Sequence, residues 1–348
     1  MIVGQGIAGS LLAYELLERG ATVDILNQTD RTASSYVAAG LYNPVTGRKM
    51  IKTWNADKVF PILEPYYSKL ERILNAKFLY PTKIYRPFMA LEEQNEWQGR
   101  IADGHYDAFI EDLKTTSIDN AAIKDPHGGL LLKNAGYVDV GTLLEAFRDY
   151  FTGRDSYQEV VVDVNELSIQ NGVVNWNVKE YGHIVFCEGA AVRNNPFFNW
   201  LPLKPVKGEI LDIEVPYDES FVLNRGVFML PVDGNQTARL GSTYDNHHLN
   251  LEPTTEAIAY LRTKLEMIFE GAFKIVGHRA GIRPATKDRK PFNGTHPAIK
   301  EMSIFNGFGT KGVSLAVYYA QQFADHLIGN NLIDDDVNIT RFHSLYPN

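Results

Sequence analysis

Residues 3–27 constrain this chain more than any other stretch. Val3 closes a short apolar run, and Gly4-Gln5-Gly6-Ile7-Ala8-Gly9 follows at once. Ser10 to Arg19 reads as a helix stopped by Gly20, and Ala21 to Leu26 as a second strand ending at Asn27. Strand, glycine turn, helix and strand in this order make the βαβ unit that binds dinucleotides. Gly4 permits the tight turn, Gly6 lets the backbone approach a pyrophosphate, and Gly9 lets helix and strand pack closely. The free amides around Ile7 and Ala8, with the positive end of the helix dipole, then meet the phosphates. Ile7, Leu11, Leu12 and Leu16 recur at helical spacing, so one helix face can lie on a sheet.

The acceptor position departs from the pattern. The residue closing the second strand is usually Asp or Glu, whose carboxylate takes the ribose hydroxyls. Here it is Asn27, whose amide can accept from one hydroxyl and donate to the other oxygen in a weaker version of the contact. Arg31 nearby leaves a 2′-phosphate on NADP as a rival reading, and a plain polar turn at Asn27 as a third.

With 348 residues the chain is long enough for two intimately packed domains or one elaborated domain. No apolar run reaches the roughly 20 residues that span a bilayer. No basic region with a long apolar core marks an export signal, so a cytoplasmic location is expected. The single Cys187 makes no internal disulfide and builds no thiolate metal cluster. A net charge of −8 opposes a broad nucleic-acid surface, and Arg48, Lys49 and Lys52 form only a small basic cluster. His247 and His248 lack the spacing of metal ligands and read as loop residues, so no metal site is expected. Only Met1-Ile2-Val3 precede the glycine turn, where about five residues make an ordinary strand. Either this strand is unusually short or the natural chain begins upstream.

Further along, Asp57 to Asn75 reads as an amphipathic helix and Thr82 to Ala90 as a strand. Val138 to Phe151 reads as another helix, with Asp139 a candidate N-cap. Val160 to Val164, Val173 to Val178 and His183 to Phe186 read as short strands returning to the nucleotide domain. From Gly208 to Tyr244 the pattern turns β-rich, with strands at Ile210 to Val215, Gly226 to Pro231 and Thr237 to Ser242, and a turn at Asp233-Gly234-Asn235. Ile304 to Leu327 restores the order of strand, glycine turn and helix. The expected architecture is α/β: a Rossmann-type dinucleotide-binding domain from residues 1–80, 134–200 and 280–348, with an inserted, mostly antiparallel substrate domain from 81–133 and 201–279.

The second glycine-headed helix moves the cofactor from NAD(P) towards a flavin, because its positive end can face the ring edge that gains negative charge on reduction. Four segments together resemble the family of glycine oxidase, D-amino acid oxidase and sarcosine oxidase. They are GQGIAGSLLAYELLERGATVDIL from Gly4, SSYVAAGLYNP from Ser34, HRAGIRPATKDRKPFNG from His278 and NGFGTKGVSLA from Asn306. VFCEGA from Val185 and KGEILDIEV from Lys207 match more weakly. The resemblance covers nearly the whole chain in order.

The resemblance implies non-covalent FAD, since no cysteine occupies the C-terminal flavin segment. In this family Gly4, Gly6 and Gly9, with Ile7 and Ala8 between them, would hold the pyrophosphate, Asn27 the ribose, and Ser34 and Ser35 the phosphates or neighbouring sugar. Ala39 and Gly40 would line the flavin, Val164 would flank the adenine, and Gly189 would lie beside the adenosine. Gly309, Thr310, Lys311 and Gly312 would face the flavin pyrimidine end. Arg283, in the G-x-R-P segment, would bind the substrate carboxylate through its guanidinium fork. Two departures stand out. Phe228 occupies a position where the family often has a tyrosine, and Arg239 stands where sarcosine oxidases carry a lysine that helps activate dioxygen.

The activity implied is oxidation of a C–N bond in a small amine or amino acid by hydride transfer to flavin. Electrons would pass on to dioxygen or another acceptor, and no dedicated base is demanded. Two alternatives remain: the oxidase half of the tRNA wobble-uridine modification enzyme, acting on a carboxymethylaminomethyl base, and a flavin-binding protein with a decayed substrate pocket.

Overall fold

The computed structural model describes residues 1–30, 32–217, 219–232, 236–329 and 331–347. Arg31 and the turn Asp233-Gly234-Asn235 lie outside the described residues.

The glycine turn forms between strand Ile2–Val3 and helix Ile7–Glu18, followed by strand Ile25–Asn27. The helix begins earlier than Ser10 because Gly6 is extended, at φ −75° and ψ −174°, and serves as its N-cap. Gly4 takes φ +99°, a conformation closed to most side chains. Gly9 packs so tightly on the turn that a Cβ there would lie 1.9 Å from the Gly4 carbonyl oxygen. The second strand is shorter than expected. Its ladder with the two-residue first strand consists of Ile2 with Ile25 and Val3 with Leu26.

Six strands form the first sheet, in the order Tyr157–Glu159, Ile25–Asn27, Ile2–Val3, Ile184–Phe186, Met302–Asn306 and Phe292–Thr295. All neighbours are parallel except the last pair, as a sheet fed by crossover helices requires. Helices Ile7–Glu18, Ala56–Leu74, Val140–Thr152 and Gly312–Gly329 contribute to one core through Leu11, Leu63, Phe147 and Phe323. Asp139 caps the third of these, accepting from the Thr142 amide at 3.3 Å.

Several strand expectations shift. Of Val160 to Val164 none is strand: Tyr157–Glu159 pairs instead, and Val164 opens a short 3₁₀ turn capped by Asp163. Val173–Trp176 does not join the parallel sheet. It forms a separate antiparallel sheet with Ser168–Gln170 and Lys179–Tyr181. The reason is Asn171-Gly172, both at positive φ (53° and 78°), the chemistry of a tight hairpin turn. Thr82 to Ala90 resolves into Lys83–Pro87, preceded by Leu79–Pro81 in a different sheet.

The larger sheet has eight strands, ordered Lys274–Arg283, Val206–Glu214, Thr237–Gly241, Val227–Val232, Phe221–Arg225, Lys83–Pro87, Gly129–Leu132 and Ile110–Lys114. Only Phe221–Arg225 and Lys83–Pro87 run parallel. Alternation sorts its faces. Leu211, Ile213, Met229 and Leu240 turn to one side and pack with Leu261 and Leu265 of helix Thr255–Glu266. Gly208, Ile210, Asp212, Phe228, Arg239, Gly241 and Arg283 occupy the opposite face by register. There Ile210 and Leu230 join the core that contains the four helices. No helix among the described residues is long and apolar enough to cross a membrane.

The Gly9 contact is with backbone, so nothing nearby can swing aside to admit a methyl group. Gly9→Ala is expected to cost about 2 kcal/mol or more. Gly6→Ala, whose Cβ would meet only the Ser35 hydroxyl at 3.3 Å, should cost less. Urea unfolding midpoints check the order; a Gly9→Ala protein as stable as wild type would show that the turn is not held by this approach.

Candidate active site

Two helices begin side by side. A Cβ on Gly312, first residue of helix Gly312–Gly329, would touch Ile7 Cγ2 at 3.2 Å, so this helix starts against the first turn of Ile7–Glu18. The first intrahelical bond of the latter runs from Ser10 N to Gly6 O at 2.9 Å, and Gly6 offers no side-chain cap. The amides ahead of Ser10 are thus free of intrahelical partners. Ile7 N donates to Ser35 Oγ at 3.2 Å, which brings Ser34 and Ser35, at the start of helix Ser34–Val37, to the turn.

A small cleft opens here, lined among others by Gln5, Gly6, Asn27, Gln28, Ser35 and Tyr36. Gln5 Oε1 and Ser10 Oγ are buried without a hydrogen-bond partner. Open amides, an orphaned carboxamide oxygen and a glycine turn that admits close approach fit the pyrophosphate and ribose of a dinucleotide. Asn27 Oδ1 accepts from Gln5 N at 2.8 Å, while its Nδ2 donates to Tyr157 OH at 3.3 Å. The amide therefore braces the turn with one lone pair and keeps the other for a hydroxyl. Val164 is not among the residues lining this cleft; like Val160 and Val162 it packs against the core that holds Val3, Leu26 and Phe186.

The Gly309-Thr310-Lys311 turn leads into the second helix. Gly309 N donates to Pro284 O at 3.1 Å, which fixes the turn beside Arg283. Burial holds the Lys311 ammonium below its ordinary range, and Arg289 adds to the effect. Asn306 Nδ2 donates to Gly189 O at 2.9 Å, tying the last parallel strand to the turn after Ile184–Phe186. Beside that turn, burial holds the Glu188 carboxyl above its ordinary range while Asn195 Nδ2 donates to it at 2.7 Å. Gly40 lies against the backbone of Val138, where a Cβ would be 1.8 Å from the carbonyl oxygen, and Ala39 beside it is buried. Val37, three residues before Gly40, packs on Gly281 of the eight-stranded sheet. Cys187 is buried and its thiol is pushed up by desolvation, which makes it a poor nucleophile.

Arg283 ends strand Lys274–Arg283. Its Nη1 donates to Thr243 O at 3.1 Å, and burial holds the guanidinium below its ordinary range. No ion pair to a carboxylate of the described residues satisfies it. Arg239 is placed on the same sheet face but elsewhere. Arg283 faces Val206 and Arg239 faces Asp212, six positions along the shared strand, or roughly 20 Å. The two arginines therefore do not converge on one small ligand. Asp212 is already forked by Arg279, at 2.8 and 3.1 Å. Phe228 faces Gly241, where a Cβ would lie 2.7 Å from its ring, and supplies apolar surface on this face. The residues missed in the sequence are Gly208, Thr243 and Tyr244, which surround Arg283. A glycine inside the strand pattern of KGEILDIEV was the available signal.

Among curated proteins, the bifunctional tRNA 5-methylaminomethyl-2-thiouridine biosynthesis protein of Campylobacter jejuni subsp. doylei is 22% identical over 299 residues, 83% of this chain and 44% of that protein. The chain thus spans about half the length of such relatives. Glycine oxidase of Pseudomonas putida is 32% identical over 141 residues, 39% of this chain and 38% of that protein. Among solved structures, iminodiacetate oxidase from Chelativorans sp. BNC1 superposes with a TM-score of 0.80 at 19% identity, covering 98% of this chain and 97% of the other. Glycine oxidase from Bacillus cereus gives 0.76 at 20% identity, covering 95% of each chain. Two glycine-headed helices start against each other, and the family model for FAD dependent oxidoreductases matches residues 1–326, so the chain belongs to that family of FAD-dependent enzymes.

Proposed function

We propose that this flavoenzyme oxidises the C–N bond of a small amino acid or amine, with Arg283 binding the substrate carboxylate. The observation that carries the reading is a desolvated guanidinium without an acidic partner, one residue from the backbone bond that holds the Gly309–Lys311 turn. A buried charge in that state is best satisfied by a ligand anion. The relatives named glycine oxidase and iminodiacetate oxidase point to substrates carrying an amine near a carboxylate. In this reading residues 1–80, 134–200 and 280–348 carry the cofactor, and 81–133 and 201–279 the substrate.

When bound, FAD supplies the electron sink that accepts a hydride from the carbon beside the nitrogen. The chain's own residues position and desolvate. Arg283 anchors the carboxylate, and Phe228 with Leu230 presents an apolar wall that excludes water from the substrate face. Lys311 and the N-terminus of helix Gly312–Gly329 would hold the flavin's ring end and set positive charge against the negative charge that grows on reduction. A substrate amine arriving neutral needs no side-chain base.

A second reading draws on the relatives that modify tRNA, which match over most of this chain. Arg283 would then hold the carboxymethyl group of a modified base. Gel-shift with tRNA against reduction by free amino acids separates the two. Flavin that no amino acid, N-methylated amine or tRNA bleaches would point instead to a decayed pocket at Phe228.

Three outcomes are expected. First, acid precipitation should release all of the FAD, because the single Cys187 is buried and no cysteine occupies the C-terminal segment from Asn306 to Ala316; yellow colour staying with the polypeptide would contradict non-covalent binding. Second, Arg283→Ala should lose roughly 3 kcal/mol or more in kcat/KM for an acid substrate. Arg283→Lys should recover part of it, and FAD content should hold. Anaerobic flavin reduction with an amino acid and its decarboxylated amine measures this, and an Arg283→Ala enzyme that still prefers the acid would remove Arg283 from the site. Third, Arg239 cannot lose its proton and is bulkier than lysine. Air reoxidation of the reduced enzyme should therefore be slower than reoxidation by an artificial dye, and equal rates would defeat this role for Arg239.

A further inference from the structure

Lys207-Gly208-Glu209 lies near the start of strand Val206–Glu214, and alternation sends its middle residue and its two flanks to opposite faces of the sheet. On the substrate face Gly208 is the floor beneath Arg283. A Cβ there would lie 1.9 Å from Nη2, 2.1 Å from Cζ and 2.2 Å from Nη1. The guanidinium rests on strand backbone that only glycine leaves bare. Tyr244 also packs against it, its ring centroid 4.8 Å from Cζ. Backbone and ring thus pack against the cation, and Nη1 is partly spent on Thr243 O at 3.1 Å. The remaining N–H groups are left for a ligand approaching along the guanidinium edge, the approach of a bidentate carboxylate.

On the opposite face the two flanks fasten the segment that carries Thr243 and Tyr244. Lys207 Nζ donates to Asn250 Oδ1 at 2.8 Å and to Glu252 O at 2.5 Å. The Glu209 carboxylate accepts from Thr254 N at 2.7 Å and from Thr254 Oγ1 at 3.0 Å. Main-chain bonds join Lys207 to Asp245 at 2.8 and 3.0 Å, and Glu209 N donates to Thr243 Oγ1 at 2.9 Å. The Lys207 and Glu209 side chains are only 1% and 5% exposed, so these bonds compete little with water.

We propose that Gly208 and Tyr244 are positioning residues that hold the Arg283 guanidinium as an edge-on carboxylate fork, while Lys207 and Glu209 anchor the Tyr244 segment from the far side of the sheet. The proposal rests on the reading of Arg283 as the carboxylate ligand. Its consequence is selectivity: a planar anion can use the open edge, whereas an uncharged group of similar size gains no paired bonds there.

The test uses the full-length, FAD-loaded enzyme. Calorimetry follows acetate, with acetamide as the neutral control, and steady-state turnover compares an amino-acid substrate with its decarboxylated amine. Gly208→Ala and Tyr244→Ala should each weaken acetate binding at least tenfold and raise KM for the acid similarly, with kcat at saturating acid changing less than threefold. Tyr244→Phe keeps the ring and should come within threefold of wild-type acetate affinity. A loss that extended equally to the amine, with lower FAD content, would mark a merely structural role and overturn the proposal. Tyr244 is 64% exposed, so Tyr244→Ala keeps the test open even where Gly208→Ala does not fold. Should Arg283→Ala abolish acetate binding while Tyr244→Ala and Gly208→Ala leave it intact, the positioning role alone falls. Should Arg283→Ala leave acetate binding unchanged, the carboxylate reading falls and the positioning role with it.

Discussion

The approach of Gly9 to the Gly4 carbonyl decides where the first helix can start. Any side chain at residue 9 would collide with backbone rather than with a movable neighbour. Because the helix is held this close, its open amides stand directly over the ends of the parallel strands. Ile7 then reaches the start of the last helix at Gly312. Two positive helix ends set side by side are favourable around a polyanionic cofactor with an electron-accepting ring. The cofactor end of the molecule is therefore a consequence of one backbone contact made in the first ten residues.

The eight-stranded sheet is built on a different constraint, the two-residue period of a strand. In Val206–Glu214 one set of side chains fills the core under helix Thr255–Glu266, and the other set meets the cofactor-binding half. A single position of slip would exchange Gly208 for Lys207 under Arg283 and bury the wrong set throughout. The bulge between Asp212 and Ile213 comes only after the segment that serves Arg283, so register there is kept where it matters.

Much of this was legible in the sequence because glycine turns, helix periodicity and the G-x-R-P segment are local signals. The βαβ unit, the cap at Asp139 and the second glycine-headed helix needed no long-range information. The hairpin at Asn171-Gly172 was also local, yet Val173 to Val178 was read as returning to the nucleotide domain, because the strand's own pattern does not say which sheet it joins. Arg239 illustrates the opposite case. Its place in the pattern of one strand said nothing of its distance from Arg283, which depends on the register of three strands. Tyr244 was illegible for the same reason, since it meets Arg283 only through pairing across the sheet. Gly208 announced a close approach inside its strand but not that a guanidinium makes it.

The bond from Gly309 N to Pro284 O joins the mouth of the last helix to the residue that follows Arg283. On the proposed reading, cofactor and substrate sites share a strut rather than standing as independent compartments. A cofactor that orders the Gly309–Lys311 turn would act through this strut on the backbone carrying the guanidinium. Linkage would then require the converse in equal measure: a carboxylate seated on Arg283 would tighten the hold on the cofactor by the same free energy.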